Sequence, residues 1–185
     1  GYTYTVDFSK PLGRGAYGAV FPGFMKDDPE EKIVVKQFFF NEDNPMITYL
    51  NWTEEIESVH ILGLDEDPRC SPYFICYVGE AMTKIGDTPA PLIAYKRAWG
   101  DMNKFSEAYR TYVNDETRYV FIKSMLMALK ELRMRGLAHR DIKVENILVY
   151  RNKNEWSFVL GDLGSLCATY GDTLRCEMDP QNRTT

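Results

Sequence analysis

The chain carries the octapeptide His-Arg-Asp-Ile-Lys-Val-Glu-Asn at positions 139–146. Asp141 and Asn146 stand five residues apart with Lys143 between them, shortly after a helical pattern that ends at Gly136. A chance match to His-Arg-Asp-x-Lys-x-x-Asn is very improbable in a chain of 185 residues. The octapeptide is therefore the most specific signal in the sequence, and the rest of the chain is interpreted around it.

Four weaker motifs accompany the octapeptide in a fixed order along the chain. Residues 13–20 read Gly-x-Gly-x-x-Gly-x-Val between two predicted strands, and residues 33–36 form an apolar strand that ends in Lys36. Glu55 follows on a predicted helix, and residues 161–164 read Gly-Asp-Leu-Gly after another strand. Glycines let backbone N–H groups approach phosphates closely, although three glycines alone often mark only a turn. The strand-to-strand context argues against a dinucleotide-binding fold, in which such a loop opens a helix.

Lys36 and Glu55 also have ordinary explanations when each is taken alone. A lysine at the end of an apolar strand usually extends its ammonium group to the surface. A helical glutamate is usually a solvated charge, and Glu54 and Glu57 lie beside Glu55. Only the combination of all five motifs gives these residues a functional meaning.

Together the five motifs resemble those of eukaryotic-type protein kinases. The resemblance implies an α+β, two-lobed fold with a β-rich N-lobe over residues 1–98, built from a five-stranded sheet and one helix. Residues 99–185 would form the hinge and the first part of a helical C-lobe, ending inside the activation segment. It also implies ATP-dependent, Mg²⁺-dependent phosphoryl transfer to a protein hydroxyl. Lysine at position 143 resembles the Ser/Thr-directed members.

The resemblance implies a role for each matching residue. The phosphates of ATP would lie under the loop glycines, and Lys36 would hold the α- and β-phosphates. Glu55, 19 residues after the lysine, would orient Lys36 through an ion pair, with Glu54 as the second candidate. Asp141 would accept the proton of the substrate hydroxyl, and Lys143 would steady the γ-phosphate. The remaining expected contacts are Val20, Val34 and Leu148 around the adenine, Asn146 and Asp162 on Mg²⁺, and Gly13, Gly15 and Gly18 over the phosphates.

Two departures from the family pattern leave alternatives open. Val34 stands where alanine is usual, which narrows the adenine slot, and Leu163 replaces the usual phenylalanine. Neither change removes a charged group, so the leading interpretation is an active kinase. The alternatives are a pseudokinase that regulates a partner by binding, and a small-molecule kinase on the same fold.

A narrower resemblance concerns residues 92–102, which look like the hinge of apicomplexan rhoptry-type secreted kinases. It implies secretion into a host cell and a disulfide between Cys167 and Cys176 in the activation loop. Without it, a cytoplasmic location is the default expectation, and the four cysteines do not decide the compartment. Insertions are expected near residues 65–72 and 108–116.

Charge and composition limit the classes of partner. The chain has 22 basic and 27 acidic residues, a net charge of −5, and no dense basic run, so we expect neither nucleic acid nor an anionic membrane surface as a partner. At 44% hydrophobic residues it can bury a core, and no apolar run is long enough for a transmembrane segment. A protein substrate is expected, with a regulatory partner or a chain that completes the C-lobe as further expectations.

Hydrophobic periodicity predicts the elements that place these motifs. The predicted helices cover residues 52–64, with Asn51 or Thr53 as cap, and 117–135. A proline-bearing hairpin or loop is predicted at 86–91. The predicted strands are 4–8, 19–24, 32–40, 73–78, 91–97, 147–150 and 157–160.

The kinase pattern stops inside the activation segment. About the last third of the expected domain would follow that point. We expect the remaining residues to belong to a longer protein. The alternatives are a second chain that supplies them and a reduced kinase completed by a partner. The resemblance also predicts phosphorylation at Thr173, Thr184 or Thr185, with Arg140 as the partner of the phosphate.

Overall fold

A computed structural model describes residues 3–66, 69–110, 113–152 and 155–169. It confirms the α+β class: an antiparallel sheet with one packed helix precedes a helical part with a β-hairpin. Thr173, Cys176, Thr184 and Thr185 lie outside the described residues, and so do the predictions that rest on them. Among the described residues, no helix is both long and apolar enough to cross a membrane.

The first sheet is antiparallel and has the order β1-β3-β4-β6-β5, with β2 paired to β3 beside this path. The expected count of five strands is thus exceeded by the two-residue β2. Its strands are β1 Tyr4–Val6, β2 Gly13–Arg14, β3 Gly18–Met25, β4 Lys32–Phe38, β5 Tyr77–Ile85 and β6 Thr88–Lys96.

Helix α1 spans Pro45–Ile61, so the prediction of a start near Trp52 is wrong by about two turns. Proline at the first helical position lacks only an N–H that would be unpaired there, which makes Pro45 a good start signal. The Thr48 hydroxyl donates to the Phe39 carbonyl and accepts from the Asn41 N–H, which ties this first turn to the end of β4. Asn51 and Thr53 therefore lie inside the helix and do not cap it.

The region between α1 and β6 departs most from the predicted strands. Only Tyr77 and Val78 of the predicted strand at 73–78 belong to β5, while Phe74 forms an isolated parallel bridge to Leu160. Of the hairpin or loop predicted at 86–91, the structure has the hairpin: β5 and β6 pair as far as Ile85 and Thr88, with a tight turn at Gly86, which has φ +63°. Pro89 and Pro91 lie within β6 where it pairs with β5 alone, an edge position that tolerates a missing N–H.

The helical part begins directly after a short strand, β7 Gly100–Asp101. The Asp101 side chain caps α2 Met102–Ala108, and the Asn114 side chain caps α3 Asp115–Met134. After α3 come β8 Leu137–Ala138, β9 Ile147–Asn152, β10 Glu155–Leu160 and β11 Cys167–Ala168. Strands β9 and β10 form a hairpin, and β8 pairs with β11.

One apolar core joins the sheet to the helical part. Val59 of α1, Ile93 of β6, Leu132 of α3 and Phe158 of β10 are all buried in it. The outer side of α3 stays exposed. The exposed large side chains there are Tyr119, Ile122, Leu126, Leu129 and Met134.

A disulfide joins Cys70 to Cys76 and closes the segment between α1 and β5. The sequence analysis assigned no bond to this pair, and the predicted insertion at 65–72 contains its first cysteine. The Cys76 carbonyl accepts a 2.8 Å hydrogen bond from the Lys96 N–H at the end of β6. The disulfide is therefore anchored against the segment that leads from the sheet into the helical part.

Candidate active site

Lys36 is the centre of the candidate site. Its ammonium nitrogen lies 2.5 Å from Glu55 Oε2 and 3.2 Å from Asp162 Oδ1. Strand β4 supplies the lysine, α1 supplies the glutamate, and the segment after β10 supplies the aspartate. Burial alone lowers the pKa of Lys36, but the two carboxylates outweigh it and raise this pKa above its usual value. The ammonium group thus stays charged at neutral pH.

Glu55, the first of the two glutamate candidates, is 1% exposed, and both of its carboxylate oxygens have donors. Oε2 accepts from Lys36, and Oε1 accepts a 2.7 Å hydrogen bond from the Tyr95 hydroxyl. A buried carboxylate is unfavourable unless it is paired and hydrogen-bonded, and this one is both.

Asp162 is held in a backbone conformation that few residues adopt. Its φ is +53°, in the left-handed region, and a short 3₁₀ turn over Leu163–Ser165 follows it. Leu163 is fully buried in the core beside α1, the packing role expected for the usual phenylalanine. A Cβ on Gly164 would lie 3.0 Å from Glu55 Oε2, so glycine at 164 lets this turn approach the ion pair.

The segment from His139 to Arg140 links the octapeptide to the turn that carries Asp162. His139 is 3% exposed, and its Nε2 lies 2.9 Å from the Gly161 carbonyl oxygen. A carbonyl only accepts, so Nε2 is the protonated ring nitrogen. Arg140 has φ +67°, and its Nε donates to the Ser165 carbonyl at 2.8 Å. Two left-handed non-glycine residues in one site are typical of functional geometry.

Asp141, Lys143 and Asn146 form one hydrogen-bonded group. Lys143 Nζ and Asn146 Nδ2 each donate to Asp141 Oδ2, at 2.8 and 2.9 Å, and Nδ2 also donates to the Asp141 carbonyl. The hydrogen bond from Lys143 is the main reason that the pKa of Asp141 lies below its usual value. The carboxylate is consequently ionised at neutral pH and can accept a proton.

The three loop glycines differ in what the fold requires of them. A Cβ on Gly18 would lie 2.3 Å from the Gln37 carbonyl oxygen, so this glycine is needed for β3 to pair closely with β4. A Cβ on Gly13 would meet nothing within 4 Å, and one on Gly15 only the Gly18 carbonyl oxygen at 4.0 Å. Packing within the described residues therefore explains Gly18 and leaves Gly13 and Gly15 without a structural reason.

The expected adenine contacts come from both parts of the molecule. Val20 pairs with Lys36 across the sheet, and Val34 lies two residues before Lys36, so all three side chains share one sheet face. Leu148 comes from β9, and a Cβ on Gly161 would lie 2.9 Å from its Cδ1. Val34 and Leu148 both pack, half-buried, against the same core.

The side-chain oxygens of Asn146 and Asp162 fit a hard cation that is also bound by oxygens of the substrate. Among the described residues no cluster of three or more His, Cys, Asp or Glu side chains has the geometry of a metal site. Asp162 nevertheless offers a carboxylate that is 38% exposed, and Asn146 has committed its amide nitrogen to Asp141, which leaves its amide oxygen for a ligand. Mg²⁺ in phosphate sites is typically held by one or two such protein oxygens.

Tyr95 is the functional candidate that the sequence analysis missed. It falls inside the stretch compared with the rhoptry-type hinge, and nothing in its sequence neighbourhood distinguishes it from a core aromatic. The register of β6 against β4 does identify it, because Tyr95 lies opposite Val34 and on the same sheet face as Lys36.

Comparisons with known proteins point to one family. Residues 6–179 match the family described as the protein kinase domain. The chain is 28% identical over 159 residues to mitogen-activated protein kinase kinase kinase 2 of Arabidopsis thaliana, covering 83% of this chain and 22% of that protein. It is 26% identical over 174 residues to serine/threonine-protein kinase greatwall of Xenopus laevis, covering 92% and 17%. For serine/threonine-protein kinase nekl-2 of Caenorhabditis elegans the identity is 25% over 154 residues, covering 77% and 39%.

The chain thus spans between a sixth and two fifths of the length of these relatives. The family match itself extends over nearly the whole chain, from the first strand to beyond the Asp162 turn. It includes every residue of the site described above. The chain belongs to the protein kinase family.

Proposed function

We propose that this chain forms the nucleotide-binding and catalytic part of a Ser/Thr protein kinase that transfers the γ-phosphate of Mg·ATP to a protein hydroxyl. The observation that carries the proposal is the contact of Lys36 with both Glu55 and Asp162, because it unites three segments far apart in sequence. In this proposal residues 1–98 cover the nucleotide, and residues 99–185 supply the hinge and the reacting groups.

Substrate binding uses the face of the sheet that carries Lys36. Val20, Val34 and Leu148 hold the adenine through apolar contact. The N–H groups of the Gly13–Gly18 loop approach the phosphates, and the absence of side chains at Gly13 and Gly15 leaves room for them. Lys36 places its positive charge on the α- and β-phosphates, and Glu55 orients it.

Asn146 and Asp162 are the residues that would hold Mg²⁺ through their side-chain oxygens. The ion, when bound, supplies neutralising charge to the phosphate oxygens. Asp162 contributes a negative charge held in place by Lys36, and Asn146 contributes a neutral oxygen fixed by its two hydrogen bonds to Asp141.

The transfer step is an in-line displacement. The hydroxyl oxygen of a substrate serine or threonine forms a bond to the γ-phosphorus, while the bond from that phosphorus to the β–γ bridging oxygen breaks and ADP leaves. The hydroxyl proton goes to the ionised carboxylate of Asp141. Lys143, 2.8 Å from Asp141 Oδ2, balances the negative charge of the γ-phosphate as it moves.

The test is γ-phosphate transfer from Mg·ATP to a generic Ser/Thr protein substrate by the full-length protein, beside Asp141→Asn. Asp141→Asn keeps the size of the side chain and removes the proton acceptor. We expect transfer by the wild type and a loss of at least about a hundredfold in the variant. Equal transfer by both proteins would contradict the role of Asp141. Nucleotide binding without any transfer would instead favour the pseudokinase, and the absence of both would make Val34 the first residue to examine.

The narrower prediction of a rhoptry-type, secreted kinase gains one supporting observation. The disulfide between Cys70 and Cys76 is a bond that persists in oxidising compartments and is rare in the cytosol. The prediction of secretion is tested by fusing a reporter to the full-length protein and measuring its secretion with and without the natural N-terminal region. A regulatory partner remains a prediction from the sequence.

A further inference from the structure

Tyr95 occupies a position from which it can act on the site without contacting substrate. It lies on β6 opposite Val34 of β4, and Ile93 lies opposite Lys36, so Tyr95 and Lys36 project from the same sheet face. The side chain is 3% exposed, and its ring packs edge-on against Tyr77 with centroids 6.3 Å apart. The ring is thus part of the core, while the hydroxyl group points at α1.

The hydroxyl of Tyr95 and the ammonium of Lys36 divide the Glu55 carboxylate between them. Tyr95 donates to Oε1 at 2.7 Å, and Lys36 donates to Oε2 at 2.5 Å. The two donors come from neighbouring strands of one sheet and the acceptor from the helix packed on it. A carboxylate with one donor can rotate about its last side-chain bond, whereas two donors on a rigid sheet fix its plane.

Tyr95 retains its proton over the pH range in which a kinase operates. Burial, and then the negative charge of Glu55, raise its pKa well above the usual tyrosine value. The hydroxyl is therefore always a donor to Glu55, and a hydrogen bond to a charged group is stronger than one between neutral groups.

We propose that Tyr95 is a positioning residue, whose hydroxyl fixes the Glu55 carboxylate so that its second oxygen holds Lys36 in the orientation needed for the phosphates. This inference rests on the proposed kinase function. It makes the ion pair depend on β6 as well as on α1, so that the strand leading into the hinge contributes to the geometry of the catalytic lysine. The Tyr95 ring alone, without its hydroxyl, would fill the core equally well.

The test is a cycle of four full-length proteins: the wild type, Tyr95→Phe, Glu55→Gln and the double variant. Tyr95→Phe keeps the ring and removes only the donor. We expect it to lower kcat about tenfold in the wild-type background while KM for ATP changes less than about twofold. In the Glu55→Gln background it should change kcat less than about twofold, because the carboxylate that it positions is gone. An equal loss in both backgrounds, or no loss in either, would overturn the proposal.

Tyr49→Phe is the matched control, since Tyr49 lies on the same helix as Glu55 and its ring packs edge-on against Phe40. It should leave kcat within about twofold of the wild type. A wild type that transfers no phosphate would contradict the proposed function. In that case the contact between Tyr95 and Glu55 is tested by the unfolding free energies of the four cycle proteins. Coupling between the two substitutions supports the contact, and strict additivity overturns it.

Discussion

Lys36 Nζ lies 2.5 Å from Glu55 Oε2, although 18 residues, which include the whole first half of α1, separate the two in sequence. The lysine side chain is 21% exposed and the glutamate side chain 2%. The pair is therefore asymmetric: the Glu55 side chain is almost fully enclosed, while the Lys36 side chain keeps partial access to the solvent. This asymmetry supports the proposed role of Lys36 in binding phosphates.

The first prediction is that the two halves of this pair differ in their effect on stability. Lys36→Met leaves the enclosed Glu55 carboxylate without its counter-charge, and we expect a loss of about 3 kcal/mol in the free energy of unfolding. Glu55→Gln leaves a neutral side chain there, and Lys36 keeps Asp162 at 3.2 Å, so a loss of about 1 kcal/mol is expected. Urea unfolding at pH 7 measures both. A larger loss for Glu55→Gln would contradict the asymmetry.

The second prediction separates the folding role of the loop glycines from their binding role. Gly18→Ala places a Cβ against the Gln37 carbonyl oxygen, and we expect it to destabilise the fold by about 2 kcal/mol. Gly13→Ala meets open space, and its unfolding free energy should stay within about 0.5 kcal/mol of the wild type. Thermal and urea unfolding of the two variants provide the comparison.

Gly13→Ala has its effect on the nucleotide instead. If the loop covers the phosphates, a methyl group at this position occupies space that they need, and we expect KM for ATP to rise severalfold. An unchanged KM for ATP in a stable Gly13→Ala protein would argue that the loop is only a turn.

The sequence suffices for the residues whose positions follow from local motifs. Asp141, Lys143 and Asn146 lie within one short loop, and their mutual hydrogen bonds follow from a spacing of two and five residues. Lys36 and Glu55 were found by resemblance to a pattern, since their contact depends on how α1 packs on the sheet. Physical periodicity alone did not distinguish Glu55 from the glutamates beside it.

The sequence predictions are wrong or incomplete where contacts between distant segments decide the structure. The segment from Gly79 to Ile85 has little strand character, yet it forms most of β5 because β6 offers a partner to each of its seven residues. The predicted start of α1 near Trp52 is wrong because the helix begins at Pro45, a first-turn proline. Tyr95 was missed because only the register of β6 reveals which face it occupies.

The third prediction concerns alkaline pH. Burial raises the pKa of Tyr150 to about 12, and its hydroxyl donates to the Lys96 carbonyl. Above pH 10 the unfolded chain releases this proton while the folded protein keeps it, so this contribution to stability is present below pH 10 and is lost between pH 10 and about 12. The wild type should lose up to about 1.4 kcal/mol per pH unit more than Tyr150→Phe in this window. Urea unfolding of both proteins from pH 8 to 11.5 measures the difference, and parallel curves would contradict it.

The fourth prediction concerns the disulfide between Cys70 and Cys76. Its loop is short, with a sequence separation of six residues, so the bond restricts the unfolded chain only moderately and should contribute about 2 kcal/mol. Since the Cys76 carbonyl accepts from the Lys96 N–H, its loss should also loosen the end of β6. We expect Cys70→Ser with Cys76→Ser to lower the unfolding free energy by that amount, and to speed hydrogen exchange at Lys96 more than at Ile93 in the middle of the strand. Alkylation before and after reduction, followed by peptide mass spectrometry, checks that the bond is present in the wild type. Free Cys70 and Cys76 thiols in protein isolated under non-reducing conditions would refute both the bond and the secretion argument built on it.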